Sequence, residues 1–180
     1  ERPEMTTFKD PAAASIEIGR MLVRGHLADA APEDTPEDRA RRGWRLADIA
    51  ARAGSATGAC EITSAVTSIL HLADGWHTAD AVLTKAFKRH YAPMLPEVWA
   101  DAAYGGQEPH AVPRVPGPDA DPRDMDALAG AIADLFAGAA GQFNATAEDI
   151  ADAAEIAFWD DAAPAHRAIV RQMRERAERQ

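Results

Sequence analysis

The chain has 180 residues, with 19 Lys and Arg against 29 Asp and Glu, giving a formal net charge of -10. That acidity disfavours tight nonspecific contact with DNA or anionic lipid, both of which are polyanions. The single cysteine, Cys60, excludes an internal disulfide, and no CxxC or Cys/His cluster offers a metal site.

Alanine supplies 42 residues, whereas Leu, Ile, Val and Phe together supply 30. Alanine loses no side-chain entropy in a helix and lets helices approach closely, so the composition predicts an all-α fold. The large apolar residues recur at helical spacing, which argues against a disordered chain. No apolar run reaches the roughly 20 residues that span a bilayer, and no charged n-region with an apolar h-region opens the chain. Met5-Thr6-Thr7 has the form of a start, with residues 1–4 upstream of it. Arginine outnumbers lysine 16 to 3, which suggests a GC-rich bacterial genome and, with the lone cysteine, a cytoplasmic protein.

The first predicted helix opens at Pro11, with Asp10 as its cap. Ile16, Ile18, Met21, Leu22, Val23 and Leu27 give it a broad apolar side, and Pro32 ends it. Thr35-Pro36-Glu37-Asp38 reads as a cap, a proline at the first position and acids at the positive end of the dipole. Trp44, Leu46, Ile49, Ala50 and Ala53 form the second stripe, stopped by Gly54. Residues 56–74 are apolar and almost uncharged, which places that helix centrally in the core. After Asp74-Gly75, a fourth helix carries Trp76, Ala79, Leu83, Ala86, Phe87 and His90 on one face, with Lys85, Lys88 and Arg89 near its end. A short helix through Val98, Trp99 and Ala102 follows.

Residues 105–122 are rich in Pro and Gly and have no period, so they read as a connector. It divides an N-terminal helical domain, residues 8–104, from a C-terminal three-helix segment, residues 123–180. In that segment Asp124 caps a helix bearing Met125, Leu128, Ile132, Leu135 and Phe136, ended by Gly138 and Gly141. Thr146 to Asp149 resembles a capping box, and Pro164 opens the last helix. The whole is a bundle of about eight helices. The final three are too short to bury a core alone, so they dock on the first part or on a second subunit.

No Ser-centred elbow, Gly-rich phosphate loop or dinucleotide fingerprint is present, so no cofactor is implied. His71 and Asp74, and His77 and Asp80, are each three apart, a spacing that shares a helix face and could serve a ligand or a base with its orienter. With Trp76 they define a candidate pocket of His71, Trp76, His77 and Asp80. Residues 46–66 resemble the helix-turn-helix of repressors of the lactose repressor class. That resemblance implies a DNA-binding regulator with Arg41, Arg42 and Arg45 on phosphates. The would-be recognition helix, however, has no Arg or Lys through Leu70. Most of Trp44, Trp76, Trp99 and Trp159 should be core. Phe158 and Trp159 are adjacent and cannot share one narrow stripe, which marks them as interface candidates. These features favour a non-enzymatic helical interaction or assembly module, paired with a protein partner or with itself. A small-molecule-binding protein or enzyme with a His/Asp pocket around residues 71–80, and the DNA-binding regulator, are the alternatives.

Overall fold

A computed structural model describes residues 11–53, 59–91 and 115–142. They form five helices and, among the described residues, no strand: α1 (Pro11–Asp29), α2 (Pro36–Arg52), α3 (Ala59–Ala73), α4 (Ala79–Tyr91) and α5 (Met125–Gln142). The all-α expectation therefore holds for this part of the chain. The helices expected around residue 99, after Thr146 and after Pro164 lie outside the described residues, as do the Asp10 cap and Phe158 and Trp159.

Local chemistry sets the helix starts. Thr35 has extended backbone angles and caps α2: its side chain accepts from the Asp38 N–H, while the Asp38 carboxylate accepts from the Thr35 N–H. Pro36 follows at the first helical position, where a missing N–H costs nothing. Asp124 caps α5 by accepting from the N–H groups of Asp126 and Ala127 at 3.0 and 3.3 Å.

α5 is the hub. Residues 127–136, 138 and 139 are all buried, because the helix packs against each of α1 to α4. A helix apolar on every side has no solvent face to offer and must run through a core. α3 is nearly as enclosed: residues 62–73 are all buried or half-buried, chiefly against α1. Leu22, Leu46, Ile69, Leu70, Leu83, Leu128, Ile132 and Leu135 fill the space between helices. Phe87 of α4 meets Phe136 of α5 with ring centroids 5.0 Å apart. Among the described residues no helix is long and apolar enough to cross a membrane.

Small residues set the closest approaches. Gly43 of α2 lies directly beneath the carbonyl of Asp134 and beside Gly138 of α5, so two backbones touch with no side chain between them. Gly138 is thus an interior contact and not the helix end that the sequence suggests, since α5 continues to Gln142. Three further expectations need correction. Trp76 is not on the α4 face; it sits in the turn before Ala79 and is 60% exposed. Met21 is 46% exposed, and Trp44 is only half-buried. Arg89 stands in the last turn of α4, as expected, and is buried there.

Gly75, in the left-handed region at φ 82°, has open space around its Cα, whereas a Cβ at Gly43 would overlap the Asp134 carbonyl. Gly43→Ala is expected to cost about 3 kcal/mol of unfolding free energy by forcing α2 off α5. Gly75→Ala should cost about 1 kcal/mol, from its backbone angle alone. Urea denaturation of the two variants checks the difference.

Candidate functional site

Two constellations of polar residues stand out. The first is buried and centres on Asp134, the one charged side chain in the apolar middle of α5. His26 of α1 places Nδ1 2.5 Å from Asp134 Oδ2, and a ring nitrogen facing a carboxylate must be the donor. Arg42 of α2 donates from Nε to the same oxygen at 2.6 Å. Its other nitrogens donate to the Asp29 carbonyl at 2.9 Å and to Asp34. Burial alone would weaken the charge on Arg42. The hydrogen bonds and charges of Asp134 and Asp34 outweigh it and hold the guanidinium firmly protonated. Burial likewise opposes the charge on Asp34, but the bonds from Arg42 and the Ala31 N–H keep its carboxyl below the usual range.

Gly130 completes this cluster. His26 Nε2 and Arg89 Nη1 both abut the point where a Cβ on residue 130 would stand. Among the described residues Nε2 has no hydrogen-bond partner. Burial pushes Arg89 below its ordinary pKa, against the pull of Asp134 and Asp126. A carboxylate paired with an imidazole can orient a base, but His26 is 0% exposed and its Nε2 is pressed onto the α5 backbone. The geometry locks four helices together and gives no substrate a path to that nitrogen.

The second constellation lies at the surface, at the corner between α3 and α4. His77 Nε2 donates to the Arg123 carbonyl at 2.9 Å, fixing the segment that leads into α5. The Arg123 guanidinium lies over the Trp76 ring, 4.0 Å from its centroid. Asp121 grips the same guanidinium with both carboxylate oxygens, at 3.1 and 2.9 Å. That hydrogen bonding holds the Asp121 carboxyl down at about 2. An arginine held at both ends keeps the indole in one place.

Of the four residues expected to line a pocket, the structure joins Trp76 and His77 through Arg123, which the sequence did not single out. His71 is half-buried in the last turn of α3; burial lowers its pKa and the nearby Asp74 opposes this. Asp80 is half-buried in the first turn of α4. For the DNA-reading alternative, residues 62–66 of α3 are buried or half-buried, and the start of its second helix, before residue 59, lies outside the described residues. Of its three arginines, Arg42 lies in the buried cluster, while Arg41 and Arg45 pair with Asp38 at 3.6 Å and Asp29 at 2.7 Å and stay exposed. Among the described residues no group of three His, Cys, Asp or Glu could hold a metal.

Comparison with known proteins finds no matching family model, no similar curated protein and no matching solved structure.

Removing Asp134 deprives the buried Arg42 guanidinium of one carboxylate and leaves the His26 Nδ1 without its hydrogen bond. Asp134→Ala is expected to cost about 3–5 kcal/mol. Adding Arg42→Met to that variant should cost less than the two single changes together, as a double-mutant cycle in urea would measure.

A second prediction concerns pH. His90 of α4 packs edge-on against Phe136, with centroids 6.0 Å apart. Burial, reinforced by the charge of Arg39, pushes it from 6.5 down to about 4. In the unfolded chain His90 takes up a proton near pH 6.5, but in the folded chain only near 4. Stability should therefore fall as pH drops through that window, by on the order of 3 kcal/mol. His71 adds to the loss with the same sign. Thermal melts from pH 7 to 4 should show a shallower fall for His90→Gln.

Proposed function

We propose that this protein is a helical interaction module whose docking epitope is the α3–α4 corner, with Trp76 as its anchor. One observation carries the reading: Trp76 is 60% exposed yet held by Arg123 stacked on its ring. Burying an indole in the protein's own core would be favourable, so an exposed one whose position is fixed has a large surface left to bury elsewhere. Tryptophan and arginine are also the residue types that most often dominate the energetics of protein interfaces. Pre-ordering helps further, because an anchor already fixed loses little side-chain entropy on binding. His77 supports this arrangement through its bond to the Arg123 carbonyl. The second expected epitope, Phe158 and Trp159, remains a separate candidate for the same role.

Trp76→Ala removes the anchor without opening a cavity. Its thermal midpoint should stay close to that of the wild-type protein, while association is lost. Light scattering on the eluting peak reads self-association, and affinity capture of the two proteins side by side reads other partners. An interface anchor is expected to weaken binding at least about 30-fold on truncation. Unchanged oligomeric state together with unchanged captured proteins would refute the reading.

A further inference from the structure

Arg89 is the buried charge with the fewest bonds to answer it. It is 9% exposed, yet among the described residues its side chain makes one hydrogen bond, from Nη1 to the Asp126 carbonyl at a long 3.4 Å. Nε and Nη2 make none there, and neither is fully sealed from solvent. Two carboxylates draw on this guanidinium, Asp134 and Asp126, and two other guanidinium groups oppose them, Arg42 and Arg39. Neither carboxylate comes within ion-pair distance of Arg89. Asp134 is committed to His26 and Arg42, and Asp126 pairs with Lys85 at 2.8 Å. A nearly buried guanidinium with donors left over is costly unless something answers them.

Arg39 supplies a second cation. It lies one turn before Arg42 on α2 and is half-buried. Among the described residues its side chain has no ion pair and no hydrogen bond. Its charge weighs on both Arg89 and His90 of α4, so its guanidinium stands near them. α2 and α4 each pack on α5 and little on each other. Two like charges are thus held close together by helices that flank α5, in a chain whose net charge is -10. Such charges repel in a partly dry place unless an anion lies between them. We propose that the junction of α2, α4 and α5 is an anion-binding site, in which Arg39 and Arg89 hold one small oxyanion, a carboxylate or a phosphate group. The guanidinium fork matches two oxygens of either group. The ligand must be small, because so little of Arg89 is open. The site shares no residue with the Trp76 epitope.

The test titrates the full chain by calorimetry with inorganic phosphate and with acetate, each against chloride at equal ionic strength. At least one of the two should saturate at one site per chain, and whichever binds names the group. Arg39→Gln and Arg89→Met should each weaken binding at least about tenfold, the loss of a charged hydrogen bond. Arg52→Gln removes the same charge from the exposed far end of α2, roughly 20 Å along the helix, and should change little. The bound anion should also raise the thermal midpoint of the wild-type chain but not that of Arg39→Gln. Circular dichroism confirms that each variant is folded. Arg39 makes no side-chain bond within the described fold, so its variant decides the matter should Arg89→Met fail to fold. If neither anion binds better than chloride, the proposal falls and water alone answers Arg89. It falls equally if Arg52→Gln weakens binding as much as Arg39→Gln, because overall charge would then be responsible.

Discussion

The carboxylate of Asp134 is the point on which the arrangement of helices depends. A buried carboxylate costs several kcal/mol unless its lone pairs are answered, and here they are answered from two different helices. His26 comes from α1 and Arg42 from α2, while Arg89 of α4 presses against the same stretch of α5. Each partner must arrive at a fixed height along α5 for the charges to meet. Apolar packing between Ala-rich helices tolerates sliding, because one methyl group resembles the next. The ionic contacts do not, so they select one register among many of nearly equal burial.

The glycines work with that charge cluster. Gly43 lets α2 descend onto the α5 backbone at the residue where Arg42, one position earlier, must reach Asp134. Gly130 gives the His26 ring and the Arg89 head group room on the next turn. A larger side chain at either position would lift a helix away and strand a charge. Composition and chemistry are therefore linked: small residues bring backbones close enough for short side-chain bonds in a core with few large residues to hold it.

Much of the fold was legible in the sequence for reasons that are local. The Thr35 capping box, Pro36, the Asp124 cap and the spacing of Leu and Ile are read within a turn or two, and the helices start where those signals stand. What was not legible is what depends on distant residues. Nothing near Asp134 announces that its partners lie 92 and 108 positions away. A lone acid between Ala133 and Leu135 in an apolar helix was the available signal. Trp76 was misplaced for a similar reason. Its spacing to Ala79 and Leu83 fits a helical stripe, but the Asp74-Gly75 turn delays the helix to Ala79. The stacking on Arg123 could not be inferred across the connector. His77 was singled out for its nitrogen, and the structure commits that nitrogen to a backbone carbonyl.

The position of α5 in the chain bears on how the protein is made. Translation delivers α1 to α4 first, and with them the imidazole of His26 and the guanidinium groups of Arg42 and Arg89. Asp34 already answers Arg42, but the carboxylate that His26 and Arg42 share arrives only with residue 134. Until then α1 and α3 can pack on each other, but the faces of α2 and α4 that meet α5 have no partner from it. Contacts this far apart in sequence are slow to form, and they leave apolar surface exposed in the meantime. The turns of α5 up to residue 134 must therefore leave the ribosome before the charge cluster can close.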